Sequence, residues 1–205
     1  MIHKWHLQLF AYIIDSVPDP KRIVEIGVHK GETLRWMRDY TGAHVMGVDP
    51  YPGMSTTERD LFIKKHVSDI EIYSSGIPEK VDIVHYDAQP KPDAFRAAMD
   101  GLAYKLTKTG LIAIDNFDTR TPSGASLMTH VLCDMQNFPF SVFCIATDKG
   151  WGRAYACHDA AYQQYYQWLE KNEMPKFIDH GCVFFDSRFR RNNKEWQKNA
   201  RKKWP

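Results

Sequence analysis

The chain has 205 residues, with 27 lysines and arginines, 25 acidic residues and a formal net charge of +2. This length fits one α/β domain with at most a small appendage, and the 43% hydrophobic content excludes a globally disordered chain. No apolar run approaches the ~20 residues that cross a bilayer, and the N-terminal segment lacks the pattern of a signal peptide. The four cysteines form no close pair, which predicts reduced core thiols in a cytoplasmic protein.

Charge is distributed unevenly along the chain. Residues 188–205 contain eight Lys or Arg and one Glu, so this basic tail carries +7, whereas residues 1–187 carry −5. A tail of this kind is most often solvated, which is the interpretation we favour. It also allows two functional alternatives, contact with nucleic-acid phosphates or closure over an anionic acceptor. The near-neutral total charge does not favour a dedicated nucleic-acid-binding protein.

Hydrophobic periodicity predicts strands and helices that alternate along most of the chain. The first segment has apolar residues four apart (Trp5, Leu9, Ile13 and Val17), which indicates an amphipathic helix that Pro18 ends. The predicted strands cover residues 22–26, 44–49, 71–75, 81–87, 110–116, 140–147 and 152–157. The further predicted helices cover residues 32–40, 55–67, 95–106, 125–136 and 160–171.

The alternation predicts a doubly wound α/β sheet in three layers, because strands that are apolar throughout are typical of parallel sheets covered on both faces. The last two strands differ, since the connection between them, DKGW, is short enough only for antiparallel neighbours. We therefore expect a mostly parallel sheet that closes with an antiparallel terminal hairpin. Residues 1–158 would form this domain, and residues 159–205 a C-terminal helix and basic tail that is a candidate lid.

A glycine-containing turn follows the first strand, in the segment VEIGVHKGET at residues 24–33. Gly27 permits a tight turn without a Cβ, and Gly31 lets a ligand or the sheet approach the start of the next helix. The second strand ends in Asp49, where a carboxylate can accept both hydrogen bonds from a ribose diol. A dinucleotide-binding loop needs G-x-G-x-x-G, whereas this turn has only G-x-x-x-G. An ordinary βα turn followed by a helix-capping aspartate is the plain alternative.

The pattern E-x-G-x-x-x-G, followed by a hydrophobic strand that ends in Val-Asp, resembles the first two motifs of class I S-adenosylmethionine-dependent methyltransferases. The resemblance covers residues 20–157 and implies a Rossmann-like sheet of seven strands whose last strand is antiparallel. It implies that S-adenosylmethionine is the cofactor, that Asp49 holds its ribose, and that Glu25, Gly27 and Gly31 lie around its methionine part. It also makes Ser74 and Ser75 candidates for contact with the adenine. Further candidate cofactor contacts, from their positions in the sequence, are the backbone N–H of His29, Thr33 and Asp87.

Acidic residues also close two later strands. The fourth predicted strand ends in Asp87, and the fifth ends in Asp115 and Asn116. Since the ends of these strands converge on one edge of such a sheet, two carboxylates and an amide oxygen would form a set of hard ligands suited to Mg²⁺, Mn²⁺ or Ca²⁺. Two alternatives stay open: Asp87 contacts the cofactor alone, and Asp115 and Asn116 cap a helix or turn.

At these motifs the chain resembles the divalent-metal-dependent O-methyltransferases that act on catechols and caffeoyl thioesters. Asp87, Asp115 and Asn116 match their metal ligands residue by residue. The resemblance implies that a bound cation lowers the pKa of the acceptor hydroxyl. Those enzymes have a general-base lysine three residues after the first metal aspartate, where this chain has Pro90, and Lys91 follows it. Asp87 and Lys91 are therefore the candidate catalytic residues.

Together these patterns predict an enzyme that transfers a methyl group from S-adenosylmethionine to a hydroxyl of a small molecule, with Mg²⁺ or a similar cation as a candidate second cofactor. Two alternatives are an RNA methyltransferase that uses the basic tail and a non-catalytic protein that binds S-adenosylmethionine. No membrane partner is predicted. The sequence leaves the acceptor and the oligomeric state open, a homodimer included.

Overall fold

A nine-stranded mixed sheet with helices on both faces organises the part of the chain that the structure describes. The computed structural model describes residues 4–49, 62–63, 80–88, 92–102, 104–115, 138–148, 151–171, 177–179 and 182–186. Its helices are α1 (Lys4–Ile14), α2 (Glu32–Thr41), α3 (Pro92–Leu102) and α4 (Tyr162–Glu170), the last preceded by a 3₁₀ turn at Asp159–Ala161. Its strands are β1 (Arg22–Ile26), β2 (His44–Val48), β3 (Phe62–Ile63), β4 (Val81–Tyr86), β5 (Leu106–Ile114), β6 (Phe140–Asp148), β7 (Trp151–His158), β8 (Phe177–Asp179) and β9 (Cys182–Asp186).

The strands lie in the order β3-β2-β1-β4-β5-β7-β6-β9-β8. The first five in this order are parallel, and β7 runs antiparallel to both β5 and β6. This confirms the predicted fold class, a doubly wound and mostly parallel sheet with an antiparallel hairpin. The strand order reverses between β1 and β4, and ligands bind at such a reversal in open α/β sheets, beyond the carboxyl ends of the strands.

Two apolar layers cover the faces of the sheet, which explains why its central strands are apolar nearly throughout. On one face, α1, α2 and α4 pack on alternate strand residues such as Ile23 and Ile83. On the other face, α3 packs on the intervening residues such as Val24. Because side chains alternate along a strand, Glu25 and His85 lie on the same face as Ile23 and Ile83, beneath α1.

Several element boundaries differ from the sequence prediction, and two of the differences change the type of an element or its end. The helix predicted over residues 55–67 is wrong at Phe62–Ile63, which pair in parallel with β2 as β3. A short apolar run has no periodicity that separates a helix from a strand, so pairing with β2 decides. The helix predicted over 95–106 ends at Leu102, and Leu106 already begins β5. The rest of 55–67 lies outside the described residues.

The sheet continues beyond the predicted terminal hairpin. β9 pairs in parallel with β6, and β8 pairs antiparallel with β9, so the described residues alone form nine strands where seven were expected. β8 and β9 thus extend the sheet beyond the hairpin of β6 and β7. The two cysteines whose surroundings are described, Cys144 and Cys157, are buried in the core, as predicted. Among the described helices, none is long and apolar enough to cross a membrane. The predicted strand 71–75, the predicted helix 125–136 and the basic tail lie outside the described residues.

Candidate functional site

The turn between β1 and α2 has an unusual backbone. Gly27, His29 and Gly31 all have positive φ angles, of 85°, 49° and 69°, in the left-handed region that glycine tolerates best. Gly27 meets a second constraint, because a Cβ there would lie 2.5 Å from the carbonyl oxygen of Asp87 and 2.7 Å from the Cα of Ala88. Glycine therefore allows the β1 turn and the segment after β4 to approach closely at the point where the strand order reverses.

Asp49, directly after β2, holds this turn in place. Its Oδ2 atom accepts hydrogen bonds from the backbone N–H groups of Val28 at 2.8 Å and His29 at 2.9 Å. Asp49 is only 8% exposed, and hydrogen bonds from N–H groups to a carboxylate are among the stronger ones in proteins. The sequence did not indicate this role. Contact of Asp49 with a ribose, and of the His29 N–H with a ligand, stay predictions.

The N-terminus of α2 starts from the same turn without a capping side chain. Gly31 precedes the first helical residue and offers no side chain to the first N–H groups of the helix. Such an end carries a partial positive charge that attracts anionic groups. Thr33, a predicted cofactor contact, lies in this first helical turn. The guanidinium of Arg35 donates to the carbonyl of Lys30 at 2.9 Å and braces the turn.

Glu25 and His85 form a buried pair on neighbouring strands. They lie side by side because β1 and β4 are parallel, with Glu25 opposite His85 in the register. The Oε1 atom of Glu25 lies 2.9 Å from Nδ1 of His85, and both side chains are buried. The second carboxyl oxygen of Glu25, Oε2, has no hydrogen-bond partner among the residues that the structure describes. The pair therefore leaves one buried acceptor at the β1 end of the crevice.

Arg153 is the site residue that sequence reasoning missed. The antiparallel register of β5 and β7 brings it next to Asp115, which directly follows β5. Its Nη2 atom donates to Oδ2 of Asp115 and lies 3.4 Å from Nε2 of His85. The ring of Phe10, from α1, lies over the guanidinium at 5.0 Å. The one signal in the sequence was a charged residue within the otherwise apolar run GRAYAC.

These contacts determine the tautomer of His85. A guanidinium carries donors only, so the Nε2 atom that faces Arg153 presents its lone pair. Nδ1 then carries the hydrogen and donates it to Oε1 of Glu25. Burial, together with the charge of Arg153, lowers the pKa of His85 to about 3, so the imidazole is neutral at physiological pH.

Several neighbouring carboxylates change the pKa of Glu25. Burial raises the pKa of Glu25 well above its ordinary value, Asp87, Asp115 and Asp49 raise it further, and Arg153 opposes them. Burial alone would lower the pKa of Arg153, but attraction to Asp115 raises it above the ordinary value, so the guanidinium stays charged. The crevice thus gathers carboxyl groups from the ends of β1, β2, β4 and β5 around one buried cation. A positively charged ligand would relieve their mutual repulsion.

The structure brings most of the predicted cofactor residues to one edge of the sheet. The residues concerned are Glu25, Gly27, His29, Gly31, Thr33, Asp49 and Asp87, in the strand ends and the turn described above. Four predicted residues lie outside the described part of the chain, and their roles stay predictions: Ser74, Ser75, Lys91 and Asn116.

Among the described residues, two sets of side chains come into question as ligands of a divalent cation. Ligand atoms of Glu25, His85 and Asp87 all lie within 4.8 Å of one another, but Nδ1 of His85 is engaged with Glu25. Asp115, from the predicted ligand set, is paired with Arg153. This pairing suits a cation ligand poorly, because an arginine stays protonated and repels a second cation.

Comparisons with known proteins agree with this geometry. Residues 24–117, which include the glycine turn, Asp49, Asp87 and Asp115, match a family model described as a methyltransferase domain. A search of curated proteins found no significant match.

Solved structures of low sequence identity share the fold. An O-methyltransferase from Bacillus cereus, in complex with S-adenosylhomocysteine, is 16% identical, with a TM-score of 0.55 over 75% of this chain and 80% of that one. The O-methyltransferase TomG from Streptomyces achromogenes, in complex with S-adenosylmethionine, is 14% identical, with a TM-score of 0.55 over 75% and 79%. A ribosomal protein L11 methylase from Lactobacillus delbrueckii subsp. bulgaricus is 10% identical, with a TM-score of 0.57 over 76% and 78%. The chain therefore has the class I S-adenosylmethionine-dependent methyltransferase fold, as its motifs predicted, and its residues 24–117 match the model of a methyltransferase domain.

Proposed function

We propose that this protein transfers a methyl group from S-adenosylmethionine to a hydroxyl of a small molecule. The observation that carries the proposal is the acidic crevice at the strand-order reversal, where the buried Oε2 of Glu25 lies beside a turn that Asp49 holds. The cofactor has a positive charge on its sulfonium and another on its α-amino group, which suits an excess of carboxylates. When bound, it supplies a methyl group that the sulfonium has already activated.

Each polar part of the cofactor has a matching group on the chain. Oε2 of Glu25 is a buried acceptor for the α-ammonium, and the uncapped start of α2 attracts the α-carboxylate. Asp49 supplies a carboxylate for the ribose hydroxyls. These groups belong to β1, to the start of α2 and to the residue that follows β2, and all three elements adjoin the turn that begins at Gly27, which supports cofactor binding there.

The acceptor hydroxyl needs a group that takes or holds its proton. Asp87 directly follows β4 and its backbone touches the Gly27 turn, so we assign this role to Asp87, with Lys91 as the second candidate. Transfer to oxygen is supported by the O-methyltransferases among the solved structures. The proposed transfer does not depend on the divalent cation that the sequence predicted at Asp87, Asp115 and Asn116, because displacement at a sulfonium depends first on alignment of the reacting atoms. The pairing of Asp115 with Arg153 does not favour that cation site.

The cysteines and the total charge of the chain support a proposal for its compartment and its acceptor. The buried thiol of Cys157 supports a reducing compartment, and we place the protein in the cytoplasm. A small molecule is the favoured acceptor because the chain has a near-neutral total charge, whereas nucleic-acid binding would depend on the basic tail.

Calorimetric titration with S-adenosylmethionine tests the cofactor assignment. Asp49→Ala should weaken binding about tenfold or more, whereas Asp39→Ala, which removes an exposed carboxylate on α2, should leave the affinity within about twofold of the wild type. No binding to the wild-type protein at millimolar cofactor would refute the proposal.

Transfer of a radiolabelled methyl group then identifies the acceptor class. We expect label on catechols or vicinal diols. Label on RNA that is lost when residues 188–205 are deleted would replace the small-molecule acceptor with a nucleic acid. Tight cofactor binding with no label on any acceptor would instead favour a non-catalytic binding protein.

A further inference from the structure

Arg153 is fully buried close to the crevice, although arginine is rarely buried without a partner. Its guanidinium donates to Oδ2 of Asp115, lies 3.4 Å from Nε2 of His85, and packs beneath the ring of Phe10. Removing such a charge from water is costly, and the cost is offset only where a carboxylate and further hydrogen bonds meet the charge. Asp115 supplies that carboxylate.

The pairing changes what Asp115 can do. The Asp115 side chain is 15% exposed, at the edge of the sheet where β4 and β5 end. A guanidinium does not lose its proton at physiological pH, so the Asp115 carboxylate always has a full positive charge, that of Arg153, beside it. A divalent cation that took Oδ2 as a ligand would leave a buried arginine without its carboxylate, which is strongly destabilising.

The same guanidinium influences the cofactor end of the crevice through His85. Because Arg153 offers only donors, His85 carries its hydrogen on Nδ1 and donates it to Oε1 of Glu25. Hydrogen bonds therefore run from β7 through β4 to β1. They hold Glu25 in one orientation, in which Oε2 is its remaining acceptor.

We propose that Arg153 takes the place of a divalent cation at Asp115 and positions Asp115, His85 and Glu25, so that Asp115 is not a metal ligand. Arg153 is a positioning residue, because it is buried and acts through the side chains that it touches. The inference extends the proposed methyl transfer, but its first test requires neither an acceptor nor turnover.

Manganese binding tests the replacement of the metal. Electron paramagnetic resonance follows Mn²⁺ titrations of the wild type, Asp115→Asn and, as a matched surface control, Asp39→Asn. We expect Asp115→Asn to change the Mn²⁺ affinity by less than about twofold, as the control does. Affinity that falls about tenfold or more in Asp115→Asn alone would overturn the proposal.

A second measurement needs no variant and applies even where Asp115→Asn does not fold. Mn²⁺ at millimolar concentration should leave the amide signals of Ala154 and Tyr155, which follow Arg153 in β7, as sharp as those of the rest of the sheet. Selective broadening of these two signals would place the ion beside Asp115 and contradict the proposal.

Binding of S-adenosylhomocysteine tests the positioning role. Arg153→Met should weaken binding about tenfold or more, whereas Arg153→Lys, which keeps the charge, should stay within about threefold of the wild type. A merely structural arginine would lower the melting temperature in both variants without separating their affinities. Should Arg153→Met not fold, Arg153→Met combined with Asp115→Asn removes both charges and is expected to show the same loss.

If Arg153→Met bound S-adenosylhomocysteine with the affinity of the wild type, the positioning role of Arg153 would be overturned. Failure of the wild type itself to bind S-adenosylhomocysteine would count against the proposed function. In that case the manganese measurements still decide whether Asp115 is a metal ligand.

Discussion

Two substitutions of Asp49 separate the role that the structure shows from the role that we propose. Oδ2 of Asp49 accepts hydrogen bonds from the N–H groups of Val28 and His29. Asp49→Asn keeps a carbonyl oxygen that can accept both bonds but removes the negative charge. Asp49→Ala removes the acceptor altogether. The turn should therefore tolerate asparagine far better than alanine, whereas a ribose contact that needs a carboxylate should suffer in both variants.

The loss of stability can be worked out bond by bond. Val28 is buried, so in Asp49→Ala its N–H loses a charged partner without replacement, at about 2–3 kcal/mol. His29 is exposed, so water can replace its partner and the loss is about 1 kcal/mol. The sum of about 3–4 kcal/mol lowers the melting temperature by about 6–16 °C in a chain of this size. Asp49→Asn loses only the charge assistance, about 1–1.5 kcal/mol.

Thermal unfolding and calorimetric titration with S-adenosylmethionine, done on the same preparations, check both roles. We expect both variants to bind the cofactor about tenfold more weakly or worse. If Asp49→Asn binds as the wild type does and only Asp49→Ala is impaired, Asp49 acts through the turn and the ribose contact is refuted. A stability loss below about 1 kcal/mol in Asp49→Ala would refute the reasoning about the turn. Asp39→Ala, on the surface of α2, should cost less than about 0.5 kcal/mol.

Three further substitutions or reactions test other parts of the structure. In urea unfolding, Gly27→Ala should lower the free energy of unfolding by about 3 kcal/mol or more, because of its positive φ and the clash with the segment after β4. Gly42→Ala, with a positive φ but open space around its Cβ, should lower it by only about 1 kcal/mol. Equal losses would contradict the close approach of the Gly27 turn to the segment after β4. Because the pKa of Glu25 is raised on folding, the folded wild type binds more protons and loses stability as the pH rises above the ordinary glutamate value. Urea unfolding at about pH 5 and about pH 8 should therefore show a shallower decline for Glu25→Gln, and parallel curves would argue against a raised pKa. Burial raises the pKa of Cys157 to about 12, so its thiol should resist alkylation in the folded protein and react in urea; rapid labelling of the folded state, mapped by mass spectrometry, would disprove that burial.

The turn and its flanking elements could be predicted because their determinants are local. A run of β-branched residues between polar neighbours defines β1, and Gly27 and Gly31 supply the positive φ angles that the turn requires. Gly42, also with positive φ, follows the last residue of α2 and ends it. The position of Asp49 at the end of β2 could be predicted because it directly follows an apolar strand. Its hydrogen bonds to the turn were not predicted, since they depend on how closely β2 and the turn approach in space.

The short strands could not be predicted, because pairing with a neighbour determines them. β3 has two residues and β8 has three, so neither is long enough to show an alternating pattern. Among the described strands they form the two edges of the sheet, where β3 pairs with β2 and β8 pairs with β9. The segment that contains β8 and β9 also leads into the basic tail, and the tail's composition dominated the sequence interpretation.

The buried ionic network shows most clearly what a linear pattern omits. The sequence presents Glu25, Asp49, Asp87 and Asp115 as separate contacts, each at the end of its own strand. In the structure they form one electrostatic unit, because each of the other three raises the pKa of Glu25 and Arg153 opposes them. A substitution at any of these positions therefore changes the protonation of Glu25 as well as removing its own contact. Cofactor affinities of single variants will not add up, and double-variant cycles are needed to separate direct contact from a shifted proton.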